Sequence, residues 1–349
     1  MTQTAQSYFA AANTDRGFVS FFDGIFFSDN VRRRYIIKGG PGTGKSSLMR
    51  RLALCAERAG KNVEYYLCSS DTDSIDGILI DGELAVLDGT APHSYDTALA
   101  GAIDEIINLG ELWDSDMLRE KREDIRILAD KKRAAYDRGY GYLSSAGELR
   151  RTMRAVIAPC IKRDKLGAAV GRMLARIDAG GEKGSLCVRQ VSALGVKGAA
   201  RLDTFERICR KRYLVEDHYG TATEYLARLA HDAQMLGEQV EVSYSVPHID
   251  IISDVYFPRI GVLFSSQEKV SNGDSVVNMK RFTDAEALAN VRFAYRTAKQ
   301  AYESIIELAE RSLAEAGTAH ADAEKIYVGA MDFSRHKKLT DSLCRQLIG

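Results

Sequence analysis

Short apolar runs alternate with longer amphipathic stretches along the first third of the chain, in the order strand, loop, helix, strand, strand. Arg33–Lys38 is a β-rich run around Tyr35, Ile36 and Ile37, and it ends in a glycine cluster. Leu48, Leu52 and Cys55 then recur at helical spacing, which predicts a helix from Lys45 to about Arg58, stopped by Gly60. Val63–Cys68 predicts a second strand, and the buried run Leu84–Leu87 a third that closes on Asp88-Gly89. Strands alternating with helices predict an α/β fold built on a parallel sheet with crossovers. From about Tyr95 to Ala179 the pattern becomes helical, with Ala98–Leu109, Asp116–Ser144 and Arg150–Ile177 reading as helices of an insertion or lid. The cations Lys121, Arg122, Lys131, Lys132, Arg133, Arg150, Arg151 and Arg154 on that insertion read as a solvated face balanced by neighbouring acids.

The second half carries a degraded copy of the first. Arg32–Ile37 lines up with Arg210–Val215, Gly42-Thr43 with Gly220-Thr221, Leu48 with Leu226, and Gly60 with Gly237. The apolar strand Leu84–Leu87 has its counterpart in Ile260–Phe264. A shared order of strand, glycine turn, helix and two strands predicts an internal duplication. Residues 1–180 are expected to form one lobe with a helical insertion at about 95–179. Residues 181–349 are expected to form a second lobe with a helical tail, the junction falling in the glycine-rich stretch Gly180–Gly184.

Composition narrows the function. A length of 349 residues suits two lobes better than one ordinary domain. The 48 Lys and Arg balance 48 Asp and Glu, which argues against a dedicated nucleic-acid binder. No apolar run approaches the ~18 residues needed to span a bilayer, and the polar start of the chain does not read as a secretory signal, so a cytoplasmic protein is expected. Six cysteines, dispersed and without a CxxC pair, predict buried reduced thiols rather than a disulfide framework. His218, His231, His248 and His320 share no metal-ligand spacing and read as core or surface imidazoles.

The candidate chemistry lies in the glycine cluster. Gly39-Gly40-Pro41-Gly42-Thr43-Gly44-Lys45-Ser46 fits G-x-x-x-x-G-K-[ST] at every fixed position. Small residues let successive backbone N–H groups turn inward around phosphate oxygens, and the following helix adds the positive end of its dipole. Gly39 to Ser47, that is Gly39, Gly40, Pro41, Gly42, Thr43, Gly44, Lys45, Ser46 and Ser47, are therefore the expected nucleotide-binding residues. Lys45 supplies a mobile cation to the β/γ oxygens, and the Ser46 hydroxyl is placed for Mg²⁺. Asp88, ending a buried strand, is expected to hold the magnesium through a water, as a Walker B acid does. Lys45, Asp88 and Asp71 form the expected catalytic set, with Asp71 a general base or a second-shell magnesium ligand, or else a turn or helix-capping acid. His93 is a candidate sensor of phosphate or substrate. Gly89 follows Asp88, so no glutamate stands beside the acid to activate water, and no Asn-Lys-x-Asp motif reads guanine. ATP is the expected nucleotide.

In the second copy Asp217 stands for Gly39, His218 for Gly40, Thr223 for Lys45 and Glu224 for Ser46. Phe264 and Ser265 take the place of the strand-end acid. Two carboxylates where a polyphosphate would lie repel it at short range. The second lobe is expected to bind no ATP.

With these residues read, the chain resembles a family of bacterial tandem P-loop proteins, ATPases of unassigned function found mostly in spore-forming Firmicutes and their relatives. The residues that carry the resemblance are Asn13-Thr14 with Gly17-Phe18, Ile37–Ser46, Tyr65–Asp73 and the string Asp88-Gly89-Thr90-Ala91-Pro92-His93. It spans most of the chain and implies an ATP-binding cytoplasmic protein without specifying a substrate or partner. In the family both lobes tend to look like P-loop units, so the eroded second loop is a departure. The leading expectation is a Mg-dependent ATPase acting at the first lobe only, whose nucleotide state moves the helical insertion. One rival is a small-molecule kinase with that insertion as lid. Another is a non-enzymatic, ATP-dependent switch that orders the lobes for a protein partner.

Overall fold

The computed structural model describes residues 6–92, 94–267 and 274–348. In the first half the elements are β1 (Gln6–Phe9), β2 (Ala11–Thr14), β3 (Gly17–Ser20), α1 (Phe22–Phe26), β4 (Arg33–Lys38), α2 (Lys45–Arg58), β5 (Val63–Leu67), β6 (Ile75–Ile80), β7 (Leu84–Asp88), β8 (Asp104–Asn108), α3 (Ser115–Glu120), α4 (Arg122–Ile157) and α5 (Arg163–Arg176). The second half holds β9 (Ser185–Val188), β10 (Ser192–Gly195), β11 (Gly198–Arg201), α6 (Thr204–Ile208), β12 (Lys211–Glu216), α7 (Ala222–Met235), β13 (Gln239–Ser245), β14 (His248–Phe257), β15 (Val262–Ser265), β16 (Ser275–Asn278), α8 (Ala285–Ala330) and α9 (Phe333–Leu347).

Each half builds a six-stranded sheet. The orders, β1-β5-β6-β7-β4-β8 and β9-β13-β14-β15-β12-β16, match strand for strand. Both sheets are mixed rather than wholly parallel. β6 runs antiparallel to β5 and β7, and β14 antiparallel to β13 and β15, whereas β7, β4 and β8 are parallel, as are β15, β12 and β16. The local cause in the first sheet is a tight three-residue turn, Asp81-Gly82-Glu83, whose first two residues have φ of 53° and 73°. Two left-handed residues in succession suit a tight hairpin, so the chain reverses instead of crossing over.

Ala98–Leu109, expected as a helix, instead gives way to strand β8 on the far side of β4. Its apolar residues suit a helix, but Asp104 decides the matter. This buried carboxylate pairs with the guanidinium of buried Arg34 on β4 at 2.6 Å and accepts the N–H groups of Ala98 and Leu99 at 2.8 and 2.7 Å. A buried charge needs such partners, and they are available only in the sheet.

The long helices exchange partners between halves. α4 and α8 lie antiparallel, with Gly139 letting Leu313 and Ser312 approach and Arg138 pairing with Glu315. At the end of this pair α5 packs Leu166, Val170 and Leu174 into the core of the second sheet, beside Leu226 and Leu229 of α7. In return α9 contributes Leu343 to the core of the first sheet, beside Leu48 and Leu52 of α2. A third core, with Phe26, Tyr66 and Leu87 from the first half and Phe205, Tyr256 and Leu263 from the second, joins the inner faces of the two sheets. Among the described residues no helix is long and apolar enough to cross a membrane. All six cysteines are free thiols; Cys160 is buried, whereas Cys187 is exposed, against the expectation of uniformly buried thiols.

Candidate functional site

The glycine loop leaves β4 at Lys38 and enters α2 at Lys45. Gly42 and Gly44 have φ of 67° and 85°, the left-handed backbone that lets successive N–H groups converge. Thr43 is buried, and its hydroxyl ties the loop by donating to the Gly40 carbonyl at 2.9 Å. Lys45 folds back onto the loop. Its ammonium donates to the carbonyls of Gly39 and Gly40 at 3.1 and 2.8 Å and lies 3.5 Å from a carboxylate oxygen of Asp88.

β7 runs parallel to β4 with Asp88 opposite Ile37, so strand pairing brings the acid to the mouth of the loop. Burial pushes the Asp88 carboxyl up; the Lys45 charge and the hydrogen bonds from Thr90 oppose it without cancelling the effect. Thr90 donates both its N–H (2.8 Å) and its hydroxyl (2.5 Å) to one oxygen of Asp88, leaving the other toward Lys45. Ser46 is held by β6: its hydroxyl accepts the Ile75 N–H at 3.1 Å. Ser47, one residue further into α2, is exposed.

Asp71 sits on the edge of this site and is engaged in an ion pair. Burial raises its pKa, but the Lys197 hydrogen bond, the Asp73 N–H and the Ser74 hydroxyl more than offset it and hold the carboxyl below the ordinary range. Lys197 comes from the turn between β10 and β11 and lies 2.9 Å from Asp71 and 2.6 Å from Asp73. The same hairpin seals the loop after β5: Val196 N–H donates to the Ser70 carbonyl at 2.8 Å, and Asn13 of β2 donates to the Leu194 carbonyl at 2.8 Å. His93 lies outside the described residues.

The second half also roofs the loop. A Cβ on Gly40 would meet the Tyr327 ring at 2.7 Å, one on Gly42 the Glu324 side chain at 2.7 Å, and one on Gly44 His336 at 2.6 Å. Glycine is needed at these positions for helix α8 and the start of α9 to approach, as well as for loop conformation. His320, Glu324, Tyr327 and Val328 follow one another at helical spacing, so one face of α8 looks at the loop. On α4, Lys132, Tyr136 and Tyr140 form a matching stripe. The Tyr140 hydroxyl donates to Asn13 at 2.8 Å, and Tyr136 hydrogen-bonds Ser70. Lys132 is thus half-buried beside the site, not on the solvated face expected for the insertion's cations. Arg151 and Arg154 are likewise engaged, with Asp15 at 3.2 Å and with Glu224 and Asp250 at 3.3 and 3.0 Å.

The second loop has the same outline and opposite chemistry. Gly220 has φ of 74°, and the Thr221 hydroxyl donates to the His218 carbonyl at 2.6 Å, as Thr43 does to Gly40. Two of its N–H groups are already taken. Asp217 accepts from Gly220 and Ala222 at 2.9 and 2.7 Å, placing a carboxylate inside its own loop. Glu224, at the place of Ser46, lies 3.3 Å from both Arg154 and Arg163. Leu214 pairs with Ser265 as Ile36 pairs with Leu87, so the residue at the place of Asp88 is Ser266, one beyond the expected Phe264-Ser265 and equally without charge.

Sequence reasoning missed three groups here: Asp76 at the start of β6, close enough to raise the Asp88 carboxyl, Lys132, and His320. Asp76 carried a signal, because Ile75–Ile80 between turn residues and Asp81-Gly82 is a strand-and-hairpin pattern. The other two became visible only once α4 and α8 were paired. No family model, curated protein or solved structure matches the chain.

Proposed function

We propose that this chain is a P-loop protein that binds one Mg-ATP at residues Gly39–Ser47, that its two halves arose by duplication, and that the second has lost nucleotide binding. The carrying observation is the contrast between two loops of one outline. In the first, the glycine nest is followed by Lys45 and Ser46; in the second, Asp217 fills the nest itself. A nest whose Gly220 and Ala222 N–H groups already bond its own carboxylate offers fewer of them to a β-phosphate, and the added charge repels one.

In this reading Lys45 leaves the uncharged carbonyl oxygens of Gly39 and Gly40 and its 3.5 Å contact with Asp88 for the charged oxygens of a polyphosphate, which bind it more strongly. The residues present fit a magnesium ion. Ser46 offers a hydroxyl, and Asp88 an oxygen not taken by Thr90; one or two protein ligands are usual where phosphates and waters supply the rest. When bound, Mg²⁺ neutralises charge on the phosphate oxygens. Asp71, bound to Lys197 and acidic, is better suited to hold the roof hairpin than to take a proton.

Mg-dependent phosphate release from ATP without an added acceptor is the expected activity, abolished together with ATP binding in Lys45→Ala. Turnover that appears only with a metabolite acceptor would instead favour the kinase reading, to which the absence of a glutamate after Asp88 is suited. ATP binding undiminished in Lys45→Ala would remove the site assignment altogether.

A further inference from the structure

Two basic side chains outside the glycine loop converge on it, and among the described residues neither makes an ion pair with a carboxylate. Lys132 of α4 and His320 of α8 meet at 3.2 Å, ammonium to Nδ1. Both feel the charge of Lys45, and His320 also feels Asp71. Among the described residues Lys132 has no carboxylate within ion-pair distance; Asp88 faces Lys45, and Asp71 faces Lys197. Their place follows from the helix stripes. His320 lies one turn from Glu324, which packs on Gly42, and Lys132 lies one turn from Tyr136, which bonds Ser70 at the end of β5. The two groups therefore stand beside the loop and the end of β5, close enough for the Lys45 charge to act on both.

A half-buried ammonium whose nearest partner is an imidazole is poorly compensated. Because Nδ1 accepts from Lys132, a neutral ring carries its proton on Nε2, so the pair has spare N–H donors and no spare acceptor. Such a pair is complementary to an oxyanion rich in acceptor oxygens.

We propose that Lys132 and His320, together with Lys45, form the receptor for the terminal phosphoryl group of the nucleotide, so that the α4–α8 helix pair distinguishes a triphosphate from a diphosphate. This rests on the P-loop reading above and adds to it the residues that read the third phosphate. It also supplies, within one chain, the positive charge that other phosphoryl-transfer proteins take from a finger residue. Lys132 and His320 are contributed by different halves, so a bound triphosphate ties both long helices to the loop on which α8 already packs.

The test compares dissociation constants of Mg-ADP and Mg-AMPPNP for wild type, Lys132→Met, Lys132→Arg and His320→Gln. Wild type is expected to prefer the triphosphate analogue. Lys132→Met is expected to weaken AMPPNP by about ten- to a hundredfold, the scale of one charged hydrogen bond, with ADP nearly unchanged. Lys132→Arg is expected to keep part of the preference, and His320→Gln to lose less than Lys132→Met. Retained ADP binding shows that a variant is folded. Equal loss of both nucleotides, or no loss of either, would overturn the proposal while leaving the loop assignment intact. Failure of wild type to bind either nucleotide would overturn both.

Discussion

His320 occupies a field set by two ammonium groups, Lys132 and Lys45, and one carboxylate, Asp71. Burial and the two positive charges hold its pKa down at about 4, against an ordinary value of 6.5. The folded value lies below the unfolded one, so between pH 6.5 and 4 the unfolded chain binds more protons. His320 therefore contributes stability above pH 6.5 that is lost as the pH falls toward 4. Urea denaturation of the ligand-free protein across this window should show a pH slope that flattens in His320→Gln; an unchanged slope would mean that the imidazole titrates freely. At this scale the sequence was legible where chemistry demands contiguous residues. Gly39 to Ser46 form one continuous stretch, the loop after β4 and the first residues of α2, so its eight residues could be read in a row. Lys132 and His320 lie 188 residues apart, and nothing local distinguishes Lys132 from the solvated Lys131 beside it.

Between elements, local periodicity predicted β4, α2, β5 and β7 because each has the length and spacing of its own class. It failed at β8, where tertiary pairing of Asp104 with Arg34 overrides an apolar pattern that suits a helix. It also failed at β6 and β14, whose antiparallel course gives the sheets their mixed character. The exchange of α5 and α9 between the two halves carries no sequence signal, since an amphipathic helix shows which face is buried but not against which partner. A pair of thiols reports on it directly. Cys55 on α2 and Cys344 on α9 face each other at 2.8 Å, and burial with the Cys55 contact pushes the Cys344 thiol up to about 12. Treatment with diamide at mildly alkaline pH should join them, two thiols losing two hydrogens to the reagent, and the closed loop should migrate faster on a non-reducing gel. Cys344→Ser should abolish the shift. Absence of that link in wild type, or its replacement by another cysteine pair, would contradict the packing of α9 on α2.

At the scale of the whole molecule, a chain of 48 cationic and 48 acidic residues distributes its charge unequally between two similar frames. Lys45, Lys132 and His320 gather at the first loop, whereas the second answers Asp217 with its own N–H groups and Glu224 with Arg154 and Arg163. The first site is also a joint product of the molecule: its glycine loop and strand-end acid come from the first half, and its roof of Tyr327, His336 and Lys197 from the second. The likeness of the two sheets was readable because Tyr35 and Tyr213, Gly42 and Gly220, and Gly60 and Gly237 keep register; the interlocking was not. One live nucleotide loop per chain is the central claim, and the number of nucleotides each chain holds tests it most directly. Titration calorimetry with Mg-ATP should give one per chain in wild type and none in Lys45→Ala. A stoichiometry of two, or one persisting in Lys45→Ala, would contradict it.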